Sequence, residues 1–293
     1  MKRLLKSIIL SICCLQVAAA EISWSFLIDR DISQKVATLT ENHATNILRI
    51  FESMPWIEEG SQQGEGKYLY IFYAPNSEES RTLYTQTRDL LDQVNIRWIP
   101  IQRGDLSVDG LYETRTPEAL KNAMINGIIP EVQDVDRIKR IASMTFTGFI
   151  YLRASNIFSP ETQSYFPTVI YGDKDNLTIE IEPNDIAALI QNIPLSIPNT
   201  QIKTIEALAA EPVTLFPVKK FAYYTNEAPM PTEVYLYPSK NSPYLGALDN
   251  TLPISGITDN GYMAIDLIDG TGRYIYLKYF EDNIKIQHDN AGE

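Results

Sequence analysis

The feature that most constrains this fold is a strand, helix and strand pattern in the first half of the chain. Residues 68–74 (YLYIFYA) form a short aromatic and apolar run that is typical of a buried strand. After a turn, Ser77 can cap a helix over residues 78–94, whose first residues are acidic and suit the positive end of a helix. Residues 96–101 (IRWIPI) are predicted as a second strand. This order predicts a βαβ unit with parallel strands and a right-handed crossover.

Further strand and helix signals surround this unit. A helical period over residues 31–54 ends at Pro55, and the polar, Gly-rich segment 58–67 follows it as a linker. Downstream we predict a polar helical insertion, two short apolar runs, an edge strand with an alternating pattern, and a helix capped by Asn184. In chain order these occupy residues 116–144, 149–152, 168–171, 177–182 and 184–193.

The N-terminal segment has the pattern of a secretory signal peptide. Basic residues at the start precede an apolar run over residues 7–17 and a stretch of small residues that ends at Ala20. The apolar run is shorter than the roughly 20 residues that span a bilayer. We therefore expect cleavage after Ala20, a periplasmic or secreted location, and no stable membrane insertion after cleavage. A retained anchor is the alternative.

Cleavage would remove both cysteines of the 293 residues, Cys13 and Cys14. The remaining 273 residues contain none, so disulfides, thiolate nucleophiles, cysteine-ligated zinc and thiol redox chemistry would be excluded for the mature chain. The chain would also lose three basic residues and no acidic one, which takes its net charge from −12 to −15. That charge argues against nucleic acid as a direct partner, because phosphate binding needs clustered lysine and arginine.

Other catalytic chemistry has little support in the sequence. The chain has two histidines, His43 and His288, and neither lies in a recognisable triad or metal-ligand spacing. A Gly-rich phosphate loop is also missing. We therefore expect no enzyme activity, no bound metal and no cofactor.

The ordered pattern of residues 67–195 resembles the thioredoxin fold, and more closely the DsbC/DsbG branch of bacterial periplasmic disulfide isomerases. The resemblance rests on the turn and helix start APNSEESR at residues 74–81 and on Phe166, Pro167 and Thr168 before a later strand. It implies that the Phe166–Pro167 bond is cis and that this loop offers backbone hydrogen bonds to an extended peptide. Phe166, Pro167 and Thr168 are therefore a candidate peptide groove. The alternative is that the loop only closes its strand.

The chain departs from that family at the redox positions. Ser77 and Ser80 stand where the family has its two cysteines, with Glu78 and Glu79 between them. A serine hydroxyl cannot form a mixed disulfide and is un-ionised near neutral pH, so the domain is expected to be redox-inactive. We interpret Ser77 as a helix cap, Ser80 as a solvent-side helix residue, and the two glutamates as partners of the helix dipole.

The C-terminal region carries an all-β signal. Six short strand patterns alternate with turn clusters, at residues 221–224, 233–237, 244–248, 252–257, 262–267 and 273–279. Strands this short indicate a small barrel. The segments 246–248, 261–262 and 269–275 resemble, in order, the motifs of the bacterial SH3-like domain, a family associated with binding peptidoglycan or protein segments.

The resemblance makes Tyr237, Tyr244 and Tyr262 a candidate SH3-like binding surface, because aromatic side chains supply large contact areas. The alternative is that these tyrosines pack the barrel or its rim, since alternate strand positions point inward.

These patterns predict an α/β thioredoxin-like domain with a helical insertion, joined to a small all-β SH3-like barrel. The expected division is a signal peptide at 1–20, an N-terminal helical segment and linker at 21–66, the thioredoxin-like domain at 67–195, a linker with a short helix at 196–220, the SH3-like domain at 221–282 and an acidic tail at 283–293.

The expected function is non-enzymatic binding or scaffolding in an envelope assembly such as a conjugation or type IV secretion system. The partners would be envelope proteins or peptidoglycan, and the oligomeric state is left open. The alternative is a cell-wall-active hydrolase that the SH3-like domain targets to peptidoglycan.

Overall fold

Two β-sheets carry the core of the chain. The computed structural model describes residues 36–62, 64–154, 166–198, 204–211, 213–224, 232–248, 252–266, 274–278 and 284–286. The predicted signal peptide, both cysteines and His288 lie outside the described residues. No helix in these ranges is long and apolar enough to cross a membrane.

The first part of the chain alternates strands and helices. Its elements are β1 Val36–Thr40, α1 Glu41–Ser53, β2 Ile57–Glu59, β3 Tyr68–Tyr73, α2 Glu78–Gln86, β4 Asn95–Pro100, α3 Asp109–Thr114, α4 Pro117–Lys121, α5 Val135–Ala154, β5 Thr168–Gly172, β6 Asn176–Ile181 and α6 Ile186–Asn192. A single 3-10 turn, Arg88–Leu90, follows α2, and a π-helical turn, Asn122–Asn126, continues α4.

The six strands of this part form one mixed sheet in the order β1-β6-β5-β3-β4-β2. Strands β3 and β4 are parallel and joined by α2, as the predicted βαβ unit requires, whereas every other neighbouring pair is antiparallel. All six residues of β3 and all six of β4 are buried. Burial on both faces explains why YLYIFY and NIRWIP are almost continuous apolar runs rather than alternating ones.

One charged side chain, Arg97, lies within this buried pair of strands and is only 8% exposed. Its guanidinium donates to Glu58 Oε2 at 2.6 Å and to the Tyr70 hydroxyl at 3.0 Å, and it lies 4.5 Å from the ring centre of Trp56. A buried charge is tolerated when it is paired and hydrogen-bonded, which is the situation here.

The structure differs from the sequence predictions at several places in this part of the chain. The helix predicted over residues 78–94 ends as α2 at Gln86, and β2 occupies the start of the segment 58–67 that was predicted as a linker. The segment 36–40 was predicted as helix and is strand β1. Five residues are too few to distinguish the helical from the strand period, so pairing with β6 determines the structure of this segment. For the same reason β6 is not an edge strand. The apolar run at 149–152 belongs to α5 and is not a separate strand. Asp185, and not Asn184, caps α6, since its carboxylate accepts from Ala188 N at 2.9 Å.

The second sheet follows a short helix, α7 Ile205–Ala209. Its strands are β7 Leu215–Tyr224, β8 Thr232–Tyr235, β9 Tyr244–Leu248, β10 Leu252–Thr258, β11 Tyr262–Asp266, β12 Tyr274–Lys278 and β13 Ile284–Ile286. They are antiparallel in the order β13-β7-β10-β11-β12-β8-β9. Strand β7 begins inside the predicted linker, and β13 lies in the predicted tail, where it pairs with β7. Among the described residues this order is open at β13 and β9, so closure into a barrel stays a prediction.

The two sheets meet through helices. Helices α1 and α5 pack closely, since a side chain at Gly148 would collide with Met54, the residue after α1, and would press on Ile50 of α1. Strand β9 lies beside α1, and β12 lies beside α5. Polar contacts also fix the segment around α7: Arg140 Nε donates to Ala209 O at 2.9 Å, Arg115 pairs with Glu206, and the Tyr237 hydroxyl donates to Glu211 O. The segment 204–211 is therefore held by both parts of the chain.

Among the residues that the structure describes, the Tyr73 hydroxyl and Trp98 Nε1 are buried in the core without a hydrogen-bond partner. Both side chains are fully buried, and their rings meet edge to face at 5.6 Å. Burial raises the pKa of Tyr73 well above its ordinary value, so the hydroxyl stays neutral. A buried hydroxyl without a partner costs about 1–3 kcal/mol of stability.

Tyr73→Phe is therefore expected to raise the free energy of unfolding by about 1 kcal/mol, because it removes a desolvated hydroxyl that gains no bond in the folded state. Tyr112→Phe is the matched control. It deletes the same atom from another buried tyrosine, but that hydroxyl donates to Pro100 O, so we expect a loss of about 1 kcal/mol. Urea unfolding of both variants measures the difference, and equal destabilisation by the two would contradict it.

Candidate functional site

The start of α2 holds the first of the predicted site residues. Ser77 is the N-cap, with extended backbone angles, and its Oγ accepts from Ser80 N at 3.3 Å. The same hydroxyl donates to Glu79 Oε2 at 2.6 Å. Glu78 and Glu79 lie in the first turn, where negative charge is favourable. The predicted capping role of Ser77 is confirmed.

Ser80 is not a solvent-side residue, and that interpretation was wrong. Its side chain is 0% exposed because it lies with Leu83 and Tyr84 on the buried face of α2. Its Oγ accepts from Ala74 N at 3.4 Å, a long bond to the loop between β3 and the helix. Both serines are therefore internal groups that fix the connection between β3 and α2.

The structure places the predicted groove residues Phe166, Pro167 and Thr168 at the end of the first sheet where Ser77 begins α2. Thr168 is paired with Phe72 in β3, so the chain just before β5 lies beside the end of β3 that leads into Ser77. The Phe166–Pro167 bond is cis, as the resemblance implied. Pro167 O accepts from Glu182 N at 2.9 Å.

The side chains of this segment are buried and face the core. The Phe166 ring stacks on Phe149 with 5.1 Å between ring centres, and Thr168 is 1% exposed. A peptide bound here would therefore meet backbone groups and not these side chains. Peptide binding at this end of the sheet stays a prediction.

The surroundings of Ser77 do not activate a nucleophile. His43 lies near the start of α1, two residues before Thr45, whose hydroxyl bonds Lys174 O in the turn between β5 and β6. That turn is at the end of the sheet opposite Ser77. The hydroxyl of Ser77 instead faces a carboxylate, which is a far weaker base than the imidazole of a catalytic triad. Within the described ranges no group of histidines, cysteines and acids could hold a metal ion.

The predicted tyrosine surface is partly brought together. Tyr237 and Tyr262 line one open cavity of about 440 Å³ at an end of the second sheet. Both are largely buried, at 6% and 8% exposed, so the packing alternative also describes them. Tyr244 lies in β9, but the structure does not describe its side chain. Its predicted role in binding therefore stays a prediction.

Several lining residues of this cavity were missed by the sequence patterns, among them Glu211, Lys240, Asp259 and Asn260. Three of them lie in segments predicted as turns, which places them at the surface but says nothing about which loops meet. Burial raises the pKa of Tyr237, and the carboxylates of Glu211 and Asp259 raise it further, against an opposing effect of Arg140.

A second cavity, of about 360 Å³, lies near the other end of the first sheet and contains none of the predicted residues. It is lined by α1, the β5–β6 turn and the segment that carries Leu195 and Ile197, which are 60% and 71% exposed. Its polar wall includes Glu52 and Tyr70.

Comparison of the sequence with protein-family models and with curated proteins finds no match. The interpretation of the α2 start and of the tyrosine cavity therefore depends on the geometry described above.

Ser77→Ala is expected to lower the free energy of unfolding by about 1 kcal/mol, because it removes the side-chain acceptor of the α2 cap. Ser80→Ala, the matched variant three residues on, removes only the long bond to Ala74 N and should cost less. Chemical denaturation of both variants tests this order. A larger loss for Ser80→Ala would show that the cap is not the main role of these serines.

Proposed function

We propose that this protein is a non-enzymatic binding or scaffolding protein of the cell envelope, built on a thioredoxin-like domain without redox chemistry and an SH3-like module. The observation that carries the proposal is the state of Ser77 and Ser80. Both side chains are 0% exposed and are hydrogen-bonded at the start of α2. They have the positions of the redox pair in the resembled family and none of its reactivity.

The sheet topology supports the thioredoxin-like part of the proposal. The four central strands follow the order β4-β3-β5-β6, with β3 and β4 parallel, β5 antiparallel to β3, and α2 following β3. The cis bond before β5 lies at the same end of this sheet as the start of α2. In the resembled family these are the parts that position the thiols and the peptide-binding loop.

The envelope setting follows from the sequence and not from the fold. The N-terminal signal pattern is the argument for export, and an exported scaffold without thiols fits an assembly such as a conjugation or type IV secretion system. The seven-stranded antiparallel sheet would supply a second binding surface.

The double variant Ser77→Cys and Ser80→Cys, in a background with Cys13 and Cys14 replaced by serine, tests the thioredoxin-like frame. Residues at the N-cap and three positions later are close enough for a disulfide, so mild oxidation should form one bond within the chain. Loss of two free thiols in the monomer, measured by mass after alkylation, is the expected result. Each single cysteine variant is the control and should keep its thiol. A folded double variant that keeps both thiols free would contradict the frame.

Activity and binding are separated by two further measurements. Affinity capture from an envelope fraction should recover a protein partner in a constant ratio to this protein, and capture through that partner should recover this protein in return. Incubation with purified peptidoglycan should release no soluble fragments. Release of fragments would favour the hydrolase alternative, and recovery of glycan strands without protein would overturn the scaffold.

A further inference from the structure

We propose that the cavity lined by Tyr237 and Tyr262 binds a lysine or arginine side chain carried by an exposed segment of a partner protein. The proposal rests on the binding function proposed above and names the chemistry of the partner. Three features of the cavity support it: a fixed aromatic floor, a surplus of carboxylates around it, and a hydroxyl that is available to a ligand.

The floor is held in place by ring contacts outside the cavity. Tyr237 meets Tyr276 edge to face with 6.2 Å between centres, and Tyr262 meets Tyr235 in the same way at 6.0 Å. The Tyr237 hydroxyl is bonded to Glu211 O. Aromatic side chains that are already fixed lose little conformational freedom on binding, and tyrosine rings attract cations through their electron-rich faces.

Charge around the floor is negative in balance, because three carboxylates, those of Glu211, Asp259 and Glu233, exceed two cations. The cations are Lys240 and Arg140, and Arg140 is close enough to lower the pKa of Tyr237. Glu211 and Asp259 line the cavity, and Glu233 is close enough to raise the pKa of Tyr262, after the larger effect of burial. Asp259 is held in position because its carboxylate accepts from Thr214 N at 3.2 Å. The cation in the lining is Lys240, which is exposed and forms no ion pair with any residue that the structure describes. The net charge of −12 on the whole chain also favours a positively charged ligand.

The Tyr262 hydroxyl has no hydrogen-bond partner among the described residues, although the residue is only 8% exposed and lines the cavity. The neighbouring Tyr235 differs, since its hydroxyl bonds Glu233. An available hydroxyl on an aromatic floor can bond a backbone carbonyl or amide beside a basic side chain. This group favours a peptide over a free cation.

The cavity is tested with an acetyl-capped tetralysine peptide, and with the same peptide acetylated on its side chains. The full-length protein should bind the charged peptide, and acetylation should abolish binding. Asp259→Asn keeps an acceptor for Thr214 N and should weaken binding about two- to fivefold, as should Glu211→Gln. Lys240→Ala should strengthen binding by a similar factor. Glu131→Gln and Lys139→Ala, which make the same charge changes at exposed positions that do not line the cavity, should leave the affinity unchanged.

Tyr262→Phe distinguishes the contribution of the hydroxyl to peptide binding from its contribution to the stability of the fold. Because the hydroxyl has no partner in the part of the chain that the structure describes, unfolding should be unaffected, while peptide affinity should fall about two- to tenfold. Absence of binding to the charged peptide, equal binding of the acetylated one, or the same effect from cavity and control variants would each overturn the proposal. Wild-type affinity in Tyr262→Phe would overturn the role of the hydroxyl.

Capture experiments distinguish failure of this site from failure of the proposed function. If the wild type captures an envelope protein and Asp259→Asn captures it equally well, the cavity is not the docking site but the scaffold proposal stands. If the wild type captures no protein partner, the proposed function itself is wrong. Stronger capture by Lys240→Ala would support both.

Discussion

The fold depends on burial of the parallel pair β3 and β4 on both faces. On one face Phe72 contacts Phe51 and Phe149, with ring centres 5.4 and 5.2 Å apart, so α1 and α5 are anchored to the sheet. On the other face Trp98 contacts Tyr84 of α2 at 5.6 Å. Two adjacent strands without an exposed residue require a helical layer on each side, and the arrangement of all other elements follows from that requirement.

This constraint also explains the condition of the serines. Helix α2 must lie flat on the sheet to cover Trp98, which turns Ser80 inward and puts Ser77 at the junction of strand and helix. A small polar side chain suits both places, because each hydroxyl accepts a hydrogen bond from a backbone N–H at this junction, and the bond accepted by Ser80 is the longer of the two. The site that resembles a redox centre is, in this chain, part of how the helix is attached.

The βαβ unit could be predicted because its signals are local. The buried strand pattern and the cap at Ser77 each act within a few residues. The end of α1 before Pro55 is a local signal of the same kind. The errors arose where a distant partner decided the outcome. Residues 36–40 satisfy a helical period, yet β6 lies alongside and recruits them as a strand. Phe149 belongs to a long helix because its ring is needed between Phe72 and Phe166.

The sequence by itself determined the chemical limits of this protein: an acidic chain whose two cysteines lie in its first 14 residues, with serines at the start of the helix after the first buried strand. These are properties of residue type and local order, so no folding is needed to read them. Only the tertiary structure decided that both serines are buried, that β6 is covered by β1, and that Tyr237 and Tyr262 share one cavity with Glu211, Lys240 and Asp259. Each of these outcomes joins residues from separate segments, and which loops meet is set by strand pairing and helix packing over the whole chain.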